Sequence, residues 1–203
     1  MADLIFYTNP QSRGRIVRWM LEEVGQPYET EIVGYERMKD ESYLAVNPMG
    51  KVPALRHGEV IVTEAAAICT YLADEFPHAG LNVPVGDPRR GSYLKWLFFS
   101  PGCIEPAITD RAFPRQEQAR RSMLGYGDFD TVMSVLAKAV EPGPYLLGEQ
   151  FTAADVVVGS TLRWGLMFSL LPTRPEFMAY VGRLEQRPAL QRATALDQQL
   201  AAA

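Results

Sequence analysis

Hydrophobic and polar positions in the first part of the chain follow first a strand pattern and then a helix pattern. Leu4–Tyr7 is a short apolar run that predicts a buried strand. Apolar residues then recur at helical spacing over Ile16–Val24, and Gly25 is placed to end that helix. Tyr28–Val33 alternates weakly and predicts a second strand. A strand, a helix and a strand over so short a stretch indicate a βαβ unit with parallel strands.

The segment that follows predicts two antiparallel strands and a helix. Val52–Arg56 and Val60–Val62 flank His57-Gly58-Glu59, whose turn residues are typical of a hairpin. A helix is expected over Glu64–Phe76, where a proline follows. Residues 1–76 are therefore predicted to form a small domain with a mixed sheet, in the order βαβ and then ββα.

The pattern changes beyond residue 76. Residues 77–87 contain Pro, Gly and His without periodicity and are predicted to be a linker. Residues 88–203 contain no convincing strand, so the chain is assigned to the α+β class with an all-helical second domain. Pro101 is expected to end the first helix of this domain. Helical spacing marks three main stretches here: 88–99, 116–140 and 151–171.

Thr152 and Asp155 have the spacing of a capping box at the start of the last of these stretches. Such a pair stabilises a helix by about 0.5–2 kcal/mol. We interpret both residues as structural and exclude them from the functional site.

Composition excludes several classes of protein. The chain has 203 residues, 47% of them hydrophobic, which rules out intrinsic disorder. Its net charge of −4 and its lack of a basic stripe argue against a nucleic-acid partner. No apolar run approaches the roughly 18 residues of a membrane span, and the start lacks the pattern of a secretory signal. We expect a cytoplasmic protein without a membrane partner.

The two cysteines and two histidines limit metal and redox chemistry. Cys69 and Cys103 lie far apart, so they form no CxxC pair and no four-ligand zinc site by themselves. With His57 and His78 as the only histidines, a histidine-rich metal centre is excluded. We expect no metal.

Four segments together resemble the glutathione transferases. They occur in the order and at the spacing typical of that family: Asn9–Arg15, Asn47–Leu55, Thr63–Ile68 and Tyr145–Asp155. The resemblance implies a thioredoxin-like first domain, a helical second domain, a homodimer and glutathione as co-substrate.

Ser12 is the first candidate for the catalytic residue. It lies between the first strand and the first helix, where unpaired backbone N–H groups favour an anion. A bound thiol there can also accept a hydrogen bond from the hydroxyl, and each unit by which its pKa falls corresponds to about 1.4 kcal/mol. The alternative is that Ser12 is only a helix cap. In related enzymes a tyrosine at the end of the first strand can do this work, so Tyr7 is the rival candidate. The alternative is that Tyr7 is only a core or interface aromatic.

The resemblance assigns Val52, Pro53, Glu64 and Ala65 to glutathione binding. It implies a cis bond before Pro53, with the backbone of Val52 pairing with the peptide-like middle of glutathione. Glu64 accepts from the ligand's ammonium group, and the helix start at Ala65 offers amides to its γ-glutamyl carboxylate. The family usually has serine where this chain has Ala65, so one hydroxyl contact is lost. Structurally, a proline at a strand start and an acid at a helix start are both ordinary.

Three cations are candidates for the glycyl carboxylate of glutathione, and each is otherwise a plain surface charge: Arg13, Lys39 and Lys51.

The pocket for an electrophile is expected to be lined by apolar residues of the second domain. The candidates are Phe99, Cys103, Trp164 and Phe168, although their helical spacing also suits core packing. A second group of aromatics is a candidate for a dimer interface: Tyr71, Tyr93 and Trp96.

The sequence thus predicts a detoxifying glutathione transferase, whose activated thiolate attacks a small hydrophobic electrophile. A serine at position 12 argues against a thiol-exchange reductase, which needs cysteine there. The alternatives are a non-catalytic glutathione-binding scaffold of the same fold, or a glutathione-dependent isomerase or dehalogenase.

Overall fold

The computed structural model describes residues 3–117 and 119–202. They form two compact units. The second unit comprises residues 83–186, and the first unit comprises the described residues on either side of that range. No helix within the described ranges is both long and apolar enough to cross a membrane.

The first unit contains four strands, and both units contain α-helices. The strands are β1 (Leu4–Thr8), β2 (Glu29–Ile32), β3 (Ala54–His57) and β4 (Val60–Thr63). The α-helices of the described ranges are α1 (Gly14–Val24), α2 (Glu41–Leu44), α3 (Ala65–Glu75), α4 (Arg90–Phe99), α5 (Glu105–Ala112), α6 (Phe129–Val140), α7 (Ala153–Met167), α8 (Pro175–Glu185) and α9 (Pro188–Ala202).

The sheet has the strand order β2-β1-β3-β4. β1 runs parallel to β2 and antiparallel to β3, and β3 pairs antiparallel with β4. The predicted mixed sheet and the succession of βαβ and ββα are therefore confirmed, and with them the thioredoxin-like architecture of the first domain and the helical character of the second.

α1 packs its apolar face into the core of the first unit. Helical spacing places Val17, Met20 and Leu21 on the buried side, and Phe6 of β1 is buried as well. The helix ends at Gly25, whose φ of 73° lies in the left-handed region and whose N–H donates to the carbonyl of Leu21. The predicted glycine cap is confirmed.

The last helix belongs to the first unit. Arg18 on α1 and Asp197 on α9 form a buried ion pair, with 3.1 Å between Nε and Oδ1. The sequence-based division assigned all of 88–203 to the second domain, whereas the structure groups the segment beginning at Arg187 with the first unit. The physical reason is packing between residues far apart in the chain, since α9 buries Ala189, Leu190 and Ala193 as well as this ion pair.

The predicted stop of the first long helix at Pro101 is wrong. α4 continues through a π-helical turn, Ser100–Ile104, directly into α5. Proline has no N–H to donate, and the wider turn accommodates it because the N–H of Glu105 donates to the carbonyl of Ser100. The buried hydroxyls of Ser100 and Thr161 are also hydrogen-bonded at 2.8 Å.

The helix predicted over 116–140 is shorter than expected. Within the described part of that stretch, the α-helix is α6 alone, and Gln118 lies outside the described residues. Gly127 adopts a φ of 76°, which no helical residue has. Asp128 then caps α6, with its carboxylate accepting from the N–H of Thr131 at 2.7 Å.

The capping box at the start of α7 is confirmed. The Asp155 carboxylate accepts from the N–H of Thr152 at 2.9 Å, and the Thr152 side chain accepts from the backbone in return. Asp155 also accepts from the hydroxyl of Tyr180 and the N–H of Leu146, both at 2.8 Å. Its burial raises the pKa of this carboxyl. The two residues hold the second unit together, as the structural interpretation requires.

Candidate functional site

The register of the sheet brings three strand ends to one edge. Tyr7 on β1 pairs with Ala54 on β3, which pairs with Thr63 on β4. Because neighbouring strands here are antiparallel, the end of β1, the start of β3 and the end of β4 lie at the same edge. The three motifs predicted to bind glutathione adjoin these strand ends, so the fold brings them to one side of the first unit.

Ser12 lies in the turn between β1 and α1. Its half-buried hydroxyl donates to the carbonyl of Asn9 at 2.7 Å and accepts from the N–H of Gly14 at 2.9 Å. Arg13 is the N-cap residue, so the Ser12 side chain satisfies the first backbone N–H of α1 from one residue before the cap. To donate to a sulfur anion, the hydroxyl must turn its single hydrogen away from the carbonyl of Asn9. That carbonyl would still accept a hydrogen bond from the backbone N–H of Ser12, at 3.1 Å.

The turn itself is held rigidly. The Asn9 side chain accepts from the N–H of Gln11 at 2.9 Å and donates to the carbonyl of Val33 at 3.3 Å. A Cβ on Gly14 would collide with Oγ1 of Thr8, so only glycine permits this close approach of helix and strand. The Ser12 hydroxyl is thereby fixed at the start of α1.

Tyr7, the rival catalytic candidate, belongs to a buried cluster. Its side chain is only 5% exposed. The ring lies 6.0 Å from that of Tyr43, between ring centres, and the cluster includes Val33, Met38 and Ala54. The structure thus shows Tyr7 packed in the core of the first unit, as expected of a core aromatic.

The segment before β3 carries Val52 and Pro53. The peptide bond between them is cis, as the family resemblance implies. Val52 is half-buried, and no hydrogen bond links its N–H or C=O to another described residue. The carbonyl of Lys51 accepts from Oη of Tyr43 and from Nδ2 of Asn47, each at 2.7 Å. The Val52 backbone is therefore open at the edge of the sheet, while the preceding peptide is anchored.

Glu64 has a backbone conformation that is rare for a residue with a side chain. Its φ is 69° and its ψ is 117°, and it directly precedes α3. Such conformations cost about 1–3 kcal/mol and concentrate at binding sites. Its side chain is exposed, and α3 begins at Ala65, so the first-turn amides of α3 follow Glu64 directly in the chain.

The three cationic candidates differ in their surroundings. Nζ of Lys39 donates to the carbonyl of Met49 at 3.2 Å, so it lies beside the segment that leads to Val52. The side chains of Lys51 and Arg13 are exposed at the edges of their turns.

The four predicted pocket residues all lie in the second unit. Trp164 and Phe168 on and just after α7 are 45% and 59% exposed, with ring centres 5.8 Å apart. Phe99 at the end of α4 is half-buried and packs against Trp96. Cys103 lies in the π-helical turn, and partial burial raises the pKa of its thiol.

Two of the three aromatics proposed for a dimer interface are buried within the chain. Tyr93 is 0% and Trp96 6% exposed, so the expectation that they support an interface is wrong. Their side of α4 faces the core of the second unit, which the helical spacing alone does not reveal. Tyr71 is half-buried and hydrogen-bonded to Nδ1 of His57 at 2.9 Å.

Sequence reasoning missed the residues that support the site from behind. Nothing in the local pattern distinguishes Tyr43 from any other apolar helix residue. Asn47 belongs to one of the motifs, and an Asn-Pro pair before a glycine turn is typical of side-chain hydrogen bonding to the following backbone. The strained backbone at Glu64 has no sequence signal, because glutamate rarely adopts it.

The chain is similar to known proteins in sequence and in fold. Residues 6–80 match the family model of the glutathione S-transferase N-terminal domain. Glutathione S-transferase GstA of Escherichia coli O157:H7 is 28% identical over 159 residues, which cover 77% of this chain and 79% of the relative. The structure of a glutathione transferase from Methylococcus capsulatus is similar with a TM-score of 0.81 and 28% identity, over 97% of this chain and 99% of that one.

One solved structure also shows a ligand. A glutathione transferase homologue from Sulfitobacter, with bound glutathione, has a TM-score of 0.76 and 26% identity, over 98% of this chain and 100% of that one. The fold is thus shared with these proteins over nearly the whole chain.

Proposed function

We propose that this chain, whose fold and relatives support a glutathione S-transferase, binds glutathione at the sheet edge and ionises its thiol beside Ser12. The observation that carries the proposal is the strand register, which brings the three motif segments to one edge. A tripeptide laid along that edge meets backbone groups of Val52, the first turn of α3 and the start of α1.

Ser12 is proposed to stabilise the thiolate. Its hydroxyl lies at the amino end of α1, where the helix dipole favours a negative charge. In the reaction, the thiol proton leaves to water and the sulfur forms a bond to an electrophilic carbon. The leaving group, a halide for example, departs with the electron pair of the broken bond. The protein supplies ionisation and proximity, without a covalent enzyme intermediate.

The remaining contacts are proposed to orient the tripeptide. The unpartnered N–H and C=O of Val52 suit pairing with its cysteinyl unit as an added strand would pair. Glu64 is placed to accept from the ammonium group, and the amides beginning at Ala65 suit the γ-glutamyl carboxylate. Among the cations, Lys39 is favoured for the glycyl carboxylate because its ammonium group lies beside Met49.

The electrophile is proposed to be small and apolar. Trp164 and Phe168 offer an exposed aromatic pair in the second unit, and Phe99 and Cys103 are the further candidates. Apolar and aromatic side chains line most small-molecule pockets.

We also propose a homodimer in the cytoplasm. Cys69 and Cys103 are both free thiols, in keeping with a reducing compartment. Light scattering at several protein concentrations measures the mass in solution.

A non-catalytic glutathione-binding scaffold is the second candidate. Ala65 favours it, because the hydroxyl contact usual in the family is lost. The scaffold retains glutathione without turning over any electrophile.

Affinity for immobilised glutathione, followed by turnover of a generic aryl halide, separates these possibilities. We expect wild type to be retained and to turn over the halide. Ser12→Ala should be retained but lose about 10- to 100-fold in rate, as a rise of one to two units in thiol pKa requires.

The exposed serine of α2 gives a matched control, since Ser42→Ala removes a hydroxyl away from the turn. Tyr7→Phe is expected to keep most activity. If Tyr7→Phe abolishes turnover and Ser12→Ala does not, the assignment to Ser12 is overturned. Retention of wild type without turnover selects the scaffold, and no retention ends the proposal.

A further inference from the structure

A buried pair of side chains holds one carbonyl of the candidate site. Oη of Tyr43 and Nδ2 of Asn47 both donate to the carbonyl oxygen of Lys51 at 2.7 Å. The two donors are only 4% and 3% exposed. A carbonyl oxygen has two lone pairs, so this pair satisfies its accepting capacity from within the protein.

The orientation of Val52 follows from this anchoring. The carbonyl of Lys51 and the N–H of Val52 belong to one planar peptide unit, and in a trans peptide they point in opposite directions. Cis bonds within the described residues occur only before Pro53 and Pro144, so the bond between Lys51 and Val52 is trans. When Tyr43 and Asn47 draw the carbonyl inward, the N–H of Val52 must point away from them.

Further contacts keep the same segment in place. Oδ1 of Asn47 accepts from the N–H of Met49 at 3.1 Å, and the carbonyl of Asn47 accepts from the N–H of Gly50 at 2.8 Å. Gly50 has a φ of 58°, and a Cβ there would lie 2.6 Å from the carbonyl of Met38. These contacts within the chain restrict the segment to one conformation, and such ordering lowers the entropy cost of binding a ligand.

We infer that Tyr43 and Asn47 are positioning residues for glutathione binding: by fixing the Lys51 carbonyl they aim the N–H of Val52 at the cysteinyl unit of the tripeptide. This inference rests on the proposed function, because it assigns a role within the same site. Neither side chain touches the reacting sulfur in this account, so they affect binding and leave the chemical step alone.

Tyr43 is suited to remain a donor. Its burial, together with Tyr7 and Glu31, raises its pKa to about 12, so the phenol stays protonated through neutral pH. Its ring also packs against Tyr7, and that contact survives when only the hydroxyl is removed.

The test is Tyr43→Phe, measured as steady-state kinetics with glutathione and an aryl halide. We expect the KM for glutathione to rise about 3- to 10-fold, as the loss of one buried hydrogen bond implies. The kcat at saturating glutathione should stay within about twofold of the wild-type value. The reason is that the Val52 contact stabilises bound glutathione equally in the ground state and in the transition state. The thiol pKa of bound glutathione should not move.

Tyr71→Phe is the matched control, because it also removes a phenol that makes one hydrogen bond in the first unit, to His57. It should leave the KM for glutathione unchanged. Asn47→Ala provides a second variant if Tyr43→Phe fails to fold, and should raise the KM at least as much. Thermal unfolding of each variant establishes that it is folded.

The inference is overturned if glutathione binds Tyr43→Phe and Asn47→Ala as tightly as wild type. It is equally overturned if kcat falls while KM is unchanged, or if Tyr71→Phe raises KM to the same extent. These results leave the proposed function standing. Failure of wild type itself to bind glutathione overturns the proposed function instead.

Discussion

Ser12 has only one hydroxyl hydrogen, and the turn already uses it. The hydroxyl donates to the carbonyl of Asn9 and accepts from the N–H of Gly14, so it supports the start of α1. A thiolate next to Ser12 would compete for the hydroxyl hydrogen. The carbonyl of Asn9 would still accept a hydrogen bond from the backbone N–H of Ser12, so it would not be left unsatisfied. The structural role of Ser12 is therefore compatible with the catalytic role proposed for it.

Substitutions of Glu64 test whether this residue both carries backbone strain and binds glutathione. Glu64→Gly should leave the free energy of unfolding unchanged or raise it by about 1 kcal/mol, because relief of the strained φ outweighs the entropy cost of glycine. Glu64→Gln keeps the strain. Both should weaken glutathione binding about 10-fold or more, since a charged hydrogen-bond acceptor is lost. Urea unfolding and calorimetric titration measure the two effects.

Glu59→Gln, in the β3–β4 turn, is the matched control for the charge and should change neither quantity. A lower stability for Glu64→Gly, or an unaltered affinity for Glu64→Gln, would contradict this account of Glu64.

At the level of whole elements, ion pairs link α1 to α9 and to the residue just before it within the first unit. Besides the pair of Arg18 and Asp197, Arg187 contacts Glu23 at 2.6 Å. The Arg18 guanidinium also lies 5.0 Å from the centre of the Phe6 ring. α1 thus connects the candidate site at its start with the last helix along its side.

Removing one partner of the buried pair should be costly. Asp197→Asn is expected to lower the free energy of unfolding by about 2–4 kcal/mol, because Arg18 keeps a buried charge without its counterion. Glu31→Gln, which removes the carboxylate of the exposed pair with Arg37, should cost less than about 1 kcal/mol. Urea denaturation of both variants measures the difference, and equal effects would show that burial of the first pair is irrelevant.

The elements with strong local signals could be predicted from the sequence. Periodicity and Gly25 determine α1, and the capping pair of Thr152 and Asp155 marks the start of α7. The π-helical turn at Pro101 could not be predicted, because the buried bond of Ser100 to a distant helix supports it. The placement of α9 depends in the same way on contacts between residues far apart in sequence.

At the scale of the molecule, the three motifs of the candidate site were predictable as sequence patterns, but their convergence needed the register of the sheet. The sequence does not identify Tyr43 and Asn47 as functional candidates, because their proposed role depends on the direction of the Lys51 carbonyl, which only the structure shows. The helical spacing also does not show which side of α4 is buried. Tyr93 lies on the buried side, so the prediction that it supports a dimer interface is wrong.

Global stability should depend on pH in the alkaline range. Burial raises the pKa of Tyr28 and of Tyr43 to about 12, from 10.0. Because the unfolded chain releases these protons first, the contribution of the two tyrosines to the free energy of unfolding should be constant below about pH 10 and fall as the pH rises from about 10 to 12. Urea unfolding near pH 9 and near pH 11 should show the fall, and the double variant Tyr28→Phe, Tyr43→Phe should reduce it.

Tyr35, which is 60% exposed, gives the control: Tyr35→Phe should leave the alkaline fall as it is. An identical fall in wild type and in the double variant would assign it to other groups.

The most direct test of the account is a titration of glutathione bound to the protein, followed by the ultraviolet absorbance of the thiolate. The account predicts that wild type lowers the thiol pKa by about one to two units from that of free glutathione, and that Ser12→Ala abolishes most of this shift. A bound thiol with the pKa of free glutathione, or a shift that survives intact in Ser12→Ala, would contradict it.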